Sequence, residues 1–411
     1  MEYRDHTLYL ENTPLADIAR REGTPCYVYS RTAIIERFQA YHQAFGDVPH
    51  QVCYAVKANS NLAILKLLSE AGAGFDIVSG GELFRVLQAG ADPATVIFSG
   101  VGKTSQELDY ALEQNIRGFN CESEPELVLL DALASRRGVQ ARTALRVNPD
   151  VDAATHPYIS TGLREHKFGI DIADAEAVYG RARALGNLAL DGVSCHIGSQ
   201  IVEIAPMLQV FDKMIALVER LRASGIAIRT LDLGGGLGVA YKPGDQAPPI
   251  CEFIEEMSRR TAGHGVEILI EPGRSIVAEA GLLLTRVLYR KTNGDREFVI
   301  VDAAMNDLIR PALYQSYHKI VPLRESNAGT ITADVVGPVC ESGDFLARDR
   351  EIANVMPGDL LAICTAGAYG FVASSNYNSR PRPPEILVEG DRFRVVRKRE
   401  KYEDLVRGEE T

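Results

Sequence analysis

The sequence predicts an α/β protein built as a (β/α)8 TIM-type barrel followed by a mostly antiparallel C-terminal β domain. Three observations carry that expectation. From about residue 26 to 278, short β-rich runs alternate with helical segments, and alternation at this spacing implies parallel pairing. The strand run recurs eight times, which suits closure into a barrel; an open doubly wound sheet is the alternative left open by the pattern. After Gly281 the runs are short, β-branched and separated by Gly, Pro and Asp turns.

Taken in order, the expected barrel strands are Gln51–Ala55, Gly74–Ile77, Val96–Ser99, Gly118–Cys121, Thr143–Val147, Gly192–His196, Thr230–Leu233 and Glu267–Ile270. Between them lie helical segments such as Asn61–Ala71, Ser79–Ala89, Ser105–Gln114, Glu124–Ser135, Ile204–Ala223 and Ile250–Ala262. The later β runs are Leu282–Tyr289, Glu297–Val301, Ile331–Val335, Leu360–Thr365, Glu385–Glu389 and Arg392–Arg397. Leu8–Leu10 and Cys26–Tyr29 either join that β domain or lead into the barrel. The expected division is therefore a barrel over 26–278, with 1–25 and 279–411 forming the β domain.

Composition narrows the function classes. At about 150 residues per domain, 411 residues imply two or three domains, and a barrel would use about 250 of them. Net charge is −11, from 44 Lys and Arg against 55 Asp and Glu, which argues against a nucleic-acid partner. The basic run Arg394–Lys401 reads as a solvated surface strand. Seven cysteines without a C-x-x-C argue against a disulfide framework or a zinc ribbon, and for a reducing, cytoplasmic setting. The first ten residues carry charges where a signal peptide needs an apolar run. Leu360–Ser379 is uncharged, but its glycines and asparagines make it buried loop and strand rather than a membrane span. No membrane association and no metal are expected.

Barrel chemistry sits in the loops after the strands, and the unusual residues fall there. Lys57 follows strand one, Asp76 and Ser79 strand two, and His196 and Ser199 strand six. Gly234, Gly235 and Gly236 follow strand seven, and Glu271 and Arg274 follow strand eight. The loops after strands seven and eight are the usual phosphate site of a barrel, and a glycine run lets backbone N–H groups approach an anion. On its own the run is equally a tight turn. Lys57 lies among apolar residues, a setting that favours the neutral amine needed for a Schiff base; pairing with a carboxylate such as Asp76 is the alternative. A phosphate site, a lysine and an acid on one face suit pyridoxal phosphate, with Glu271 placed to keep the pyridinium nitrogen protonated and His196 to stack on the ring. For His196 a satisfied core histidine is the other reading.

With those residues in view, YAVKAN at Tyr54–Asn59, HIGSQ at His196–Gln200, the three glycines and EPGR at Glu271–Arg274 resemble the fold-type III pyridoxal-phosphate enzymes, which have an alanine-racemase-like barrel. NDLIRPALY at Asn306–Tyr314, GPVCESGDFL at Gly337–Leu346 and AGAYG at Ala366–Gly370 narrow the resemblance to the diaminopimelate decarboxylase family, over nearly the whole chain. The resemblance implies decarboxylation of meso-2,6-diaminopimelate to L-lysine, the last step of lysine biosynthesis. It implies that Lys57 carries pyridoxal 5'-phosphate, that Glu271 binds the pyridine nitrogen and that His196 stacks on the ring. Asp76, Ser199, Gly234, Gly235, Gly236, the turn Pro272–Gly273–Arg274 and Tyr369 complete the implied cofactor site. Arg274, Arg310 and Tyr314, with Tyr369, would hold the distal carboxylate of the substrate, and Glu341 its distal ammonium. Cys340 would reprotonate the carbanion. In the family Cys340 and Glu341 come from the neighbouring subunit, so a homodimer with shared active sites is implied.

Arg310 stands in an apolar context beside Pro311, where an arginine is unfavourable unless paired. An ion pair within the protein is one reading of it; the presence of both Arg310 and Glu341 argues for a zwitterionic distal group rather than the plain amine of ornithine, arginine or carboxynorspermidine. A non-catalytic pyridoxal-phosphate-binding protein would not need Arg310, Cys340 and Glu341 together. Asp150–Gly169, long and polar after strand five, reads as a lid.

Overall fold

The computed structural model describes residues 1–151 and 167–410 and divides the chain into two units. A barrel unit takes Arg37–Val239 and Gln246–Ser275; a β unit takes Met1–Glu36, Ala240–Asp245 and Ile276–Thr411.

In the barrel unit, eight strands follow the expected order: His50–Ala55, Gly74–Ile77, Val96–Phe98, Gly118–Cys121, Ala141–Asn148, Leu188–Ser194, Thr230–Asp232 and Glu267–Ile270. Each pairs in parallel with the next. Strand eight returns to strand one, with Leu269 opposite Gln51, so the sheet closes and leaves no free edge. Strand six ends at Ser194, so His196 lies in the loop beyond it rather than inside the strand.

The barrel helices begin where short polar side chains can cap them. Asn61 accepts from Ala63 N, Ser79 from Glu82 N and Ser123 from Glu126 N, and Thr104 forms a reciprocal capping box with Glu107. Because each cap closes a loop after a strand, the caps fix where those loops end. Ile204–Ala223 forms the longest barrel helix, as expected from its periodicity. Ala175–Ala182 adds a helix that the pattern did not single out.

The β unit holds one large sheet. Its strands, in spatial order, are Phe345–Ala353, Thr330–Val336, Arg296–Val301, Gly281–Asn293, Cys26–Ser30, Glu385–Glu389 and Arg392–Arg397. Most pairs are antiparallel. The pair of Arg296–Val301 with Thr330–Val336 and that of Cys26–Ser30 with Glu385–Glu389 are parallel. Leu360–Ile363 pairs with Gly281–Asn293. Leu8, Leu10, Leu15, Ile18, Val28, Leu282, Leu284, Ile386 and Val388 form one buried cluster against this sheet, each side chain worth about 1.5–3 kcal/mol when fully buried.

This changes the domain boundary. Cys26–Ser30 does not open the barrel: it is buried along its whole length and is hydrogen-bonded on both sides within the β unit. An uninterrupted apolar run reads alike for a barrel strand and for a central strand of another sheet. The division falls instead inside the helix Arg31–Phe45, and Ala240–Asp245 also leaves the barrel. Arg392–Arg397 is an edge strand, with Arg397 reaching the buried Glu385 at 2.6 Å; of the basic run Arg394–Lys401, only the part up to Arg397 is strand. Most of the segment read as a lid, 152–166, lies outside the described residues.

Candidate active site

Strand register places the first pair of groups. Ala55 lies opposite Asp76, and a single turn of 3-10 helix, Val56–Ala58, follows strand one. The Lys57 ammonium thereby meets the Asp76 carboxylate at 2.5 Å. Asp76 is fully buried, whereas the Lys57 side chain is 35% exposed. The apolar neighbours of Lys57 are buried, but its amine has a carboxylate partner, the alternative that the sequence left open.

His196 is held by the glycine turn. The N–H of Gly235 donates to His196 Nδ1 at 3.1 Å, which leaves the ring proton on Nε2. Burial, followed by the charges of Arg146 and Lys57, holds the imidazole well below its usual range, so the ring is neutral at pH 7. The turn tolerates no side chain. A Cβ on Gly235 would lie 2.2 Å from the Glu271 carbonyl oxygen, and one on Gly236, at φ +115°, would lie 2.5 Å from that of Gly198. The loops after strands six, seven and eight thus close on one another at van der Waals limits. Arg274, 5% exposed at the start of the short helix Arg274–Val277, donates to Ser199 Oγ at 2.9 Å.

Glu271 sits at the centre of a buried polar cluster. Its Oε1 accepts from Ser99 Oγ at 3.2 Å and from Asn120 Nδ2 at 3.3 Å. Asn120 also donates to Asp232 Oδ2 at 2.8 Å, and the Gly234 N–H donates to Asp232 Oδ1 at 2.9 Å. Burial, and then the charges of Asp232 and Asp76, push the Glu271 carboxyl well above the usual carboxylate range. Sequence reasoning missed Ser99, Asn120 and Asp232. The signal that could have found them is a polar residue inside an otherwise apolar barrel strand, which is unfavourable unless hydrogen-bonded. It also missed the buried pair Arg146–Glu122 at 2.8 Å, whose Arg146 reaches the His196 carbonyl oxygen at 3.4 Å.

The β unit holds the remaining residues. Arg310 is 6% exposed and begins the short helix Arg310–Tyr314. Its Nε donates to His318 Nε2 at 3.4 Å and its Nη2 to Ser316 Oγ at 3.2 Å. Its guanidinium lies 5.0 Å from the Tyr241 ring and 5.9 Å from that of Tyr314. His318 is fully buried and donates from Nδ1 to the Cys364 carbonyl oxygen at 2.9 Å, which makes Nε2 the acceptor that Arg310 needs. Tyr369 has φ +54°, a left-handed conformation uncommon for a tyrosine.

Cys340 and Glu341 occupy a loop that Asp344 closes by accepting from Met305 N and Val339 N, each at 2.7 Å. Both residues are exposed. The Cys340 N–H donates to Asn378 Oδ1 at 2.7 Å, and the Glu341 carboxylate accepts from the Tyr377 hydroxyl at 2.8 Å. Within its own unit, then, each group of predicted residues has a defined setting: Lys57 with Asp76, His196 with Gly235 and Ser199 with Arg274 in one, Arg310 near Tyr314 and Cys340 beside Glu341 in the other. Among the described residues no helix is long and apolar enough to cross a membrane, and no His, Cys, Asp and Glu cluster could hold a metal ion.

Residues 31–278 match the family described as pyridoxal-dependent decarboxylase, pyridoxal binding domain. The whole chain is similar to a diaminopimelate decarboxylase of Pseudomonas aeruginosa, 55% identical over 408 residues, which cover 99% of this chain and 98% of that protein. Among solved structures it is similar to the diaminopimelate decarboxylase of Helicobacter pylori complexed with L-lysine, at 42% identity and a TM-score of 0.92, covering 96% of this chain and 98% of that one. It is also similar to that of M. jannaschii in co-complex with L-lysine, at 37% identity and a TM-score of 0.95, covering 100% and 97%.

Proposed function

The chain belongs to the diaminopimelate decarboxylases of the pyridoxal-dependent decarboxylase family, carboxy-lyases that convert meso-2,6-diaminopimelate to L-lysine and CO2 with pyridoxal 5'-phosphate, and from that premise we propose how its own residues divide the work. The barrel face fits the cofactor. Asp76 Oδ1 is buried without a hydrogen-bond partner among the described residues, and the glycine turn offers a cradle that any Cβ would fill. When bound, the cofactor supplies an electron sink for the pair left by the departing CO2.

Lys57 holds the cofactor covalently, and Asp76 keeps its amine at the end of strand one. Gly234, Gly235 and Gly236, Ser199, the turn Pro272–Gly273–Arg274 and Tyr369 hold the phosphate. His196 presents a neutral, flat ring for stacking, and Glu271 faces the ring nitrogen. The substrate is oriented from its far end. Arg310 would bind the distal carboxylate in the two-pronged geometry that guanidinium and carboxylate share, a role in which Arg274, Tyr314 and Tyr369 would take part. Glu341 takes the distal ammonium. Holding that end rigidly would orient the near end of the substrate toward the bound cofactor and so select the bond to the near carboxylate. Cys340 then delivers a proton to the carbon that lost CO2.

The observation that carries the substrate assignment is the setting of Arg310: buried, flanked by two tyrosine rings and held by a histidine whose own tautomer is fixed. Such an arginine suits a planar anion. Cys340 and Glu341 are exposed on the β unit, which supports a homodimer in which each chain lends both residues to its partner's active site. The barrel unit, 37–239 with 246–275, is the cofactor domain in this reading, the β unit supplies substrate and interface residues, and the enzyme works in the cytoplasm. The test is a turnover assay with meso-diaminopimelate, its L,L isomer, ornithine, arginine and lysine offered separately. Lysine formed from the meso isomer alone is expected. CO2 from ornithine or arginine would overturn the roles given to Arg310 and Glu341, and an intact cofactor band without turnover would leave only a binding protein.

A further inference from the structure

The cofactor site has two chemically distinct ends, and one buried residue touches the supports of both. Asp232 is the last residue of barrel strand seven and is 3% exposed. One carboxylate oxygen accepts from the Gly234 N–H at 2.9 Å, inside the turn assigned to the phosphate. The other accepts from Asn120 Nδ2 at 2.8 Å, and the same Asn120 donates to Glu271 Oε1 at 3.3 Å. Asn120 Nδ2 thus bridges the two buried carboxyls, and the charge of each bears on the other. Two buried carboxylates bridged at this range repel, and a single proton between them relieves that repulsion.

Resting on the reading of Glu271 and the glycine turn given above, we propose that Asp232 is a positioning residue that ties the phosphate end of the site to the ring-nitrogen end: it anchors the Gly234–Gly236 turn and shares one proton with Glu271 across the bridge that Asn120 makes. The consequence is mechanical and electrostatic together. Glu271 Oε1 is held by Ser99 and Asn120, which restrains rotation of its carboxyl. The ionisation of Glu271 is set jointly with Asp232, which fits the upward push of both carboxyls, with burial the largest cause in each. The other ionisable groups facing the pair are Asp76, Lys57 and the thiols of Cys53 and Cys195.

The two ends have separate reporters in the loaded enzyme. The pH midpoint of the cofactor's absorbance band reports the ring, and the 31P resonance of its phosphate reports the turn. Asp232→Asn is expected to move both and to weaken retention of pyridoxal 5'-phosphate about ten- to hundred-fold, the usual consequence of losing a hydrogen bond to a charged group. Ser99→Ala, which touches Glu271 but not the turn, is expected to move the band and leave the 31P resonance in place. An Asp232→Asn enzyme with both signals unmoved overturns the proposal, as does one in which only the 31P resonance moves. Should Asp232→Asn fail to fold, Asn120→Ala keeps both carboxyls and removes their bridge; its band is expected to shift, and an unmoved band is equally fatal. Glu271→Gln separates the two levels of inference. If it leaves the band unmoved, the assignment of Glu271 to the ring nitrogen falls. If it moves the band while Asp232→Asn does not, the role of Asp232 alone falls.

Discussion

The barrel face and the Cys340 loop are both rich in chemistry, yet they are built in opposite ways. Glu271, Asp232, Asn120 and Asp76 are buried and are held by hydrogen bonds from neighbouring strands and loops. Cys340 and Glu341 stand exposed on a loop that Asp344 closes, with hydrogen bonds of their own to Asn378 and Tyr377. A cofactor that stays bound rewards a rigid, preorganised pocket. Groups that must meet a substrate arriving and leaving are better carried on a surface that a second copy of the chain completes. The comparison thus separates what one chain accomplishes alone from what the proposed dimer adds.

The sharpest way to break the comparison is at its rigid end. Lys57→Ala removes the group that holds the cofactor covalently, and turnover is expected to fall below detection, with loss of the absorbance band of the bound form. Residual turnover with a normal band would place that role on another amine. Cys340→Ala comes next. The cofactor band should persist while kcat falls by roughly 10²–10⁴, the usual contribution of a positioned general acid. Unchanged kcat would mean that the proton comes from elsewhere. Mixing the two inactive variants sharpens the contrast further. If active sites are shared, half of the reassorted dimers carry one intact site, and about a quarter of the wild-type activity should return. No recovery after exchange has been verified by mass would locate both residues in the same chain's site.

A smaller effect probes Arg310 through its support. His318 fixes the guanidinium by accepting at Nε2 while Nδ1 donates to a carbonyl. His318→Phe keeps the volume and removes the acceptor. KM for meso-diaminopimelate is expected to rise about ten-fold, with a much smaller change in kcat, as for loss of a hydrogen bond to a charged group. A fall in kcat at constant KM would assign His318 to the chemical step instead.

Much of this was legible in the sequence. Strand–helix alternation gave all eight barrel strands to within a few residues, and Asn61, Ser79, Thr104 and Ser123 mark their helix starts by cap chemistry that is local in sequence. The candidate residues of the barrel unit were singled out because their motifs follow strand ends, which closure of the barrel brings to one face, whereas Arg310, Tyr314, Cys340 and Glu341 were named only by the resemblance. Cys26–Ser30 was misplaced because its side chains are apolar on both faces, and nothing local says which sheet will bury them. Asp232 and Asn120 were missed for a related reason. Their value lies in a bond between strands 112 residues apart in sequence, and only the closed barrel makes that visible.

Glu82 offers the mildest test, and it concerns stability rather than turnover. It lies in the first turn of the helix Gly80–Gln88 and accepts from the Val78 N–H at 2.7 Å. Burial raises its carboxyl from 4.5 to about 7, against the opposing pull of that N–H and of Lys57. In the unfolded chain the group loses its proton near its ordinary value; in the folded protein it keeps it until about pH 7. Between those two values the native state binds more protons than the unfolded state, so this group lowers stability as pH rises, and its effect is constant above the window. Glu82→Gln removes the titration. Urea midpoints at pH 5 and pH 8 should therefore differ less favourably for pH 5 in the variant than in the wild type, with every other titrating group common to both chains. An identical pH difference would show that Glu82 is already ionised in the folded barrel at pH 5, and that the end of strand two tolerates a second charge beside Asp76.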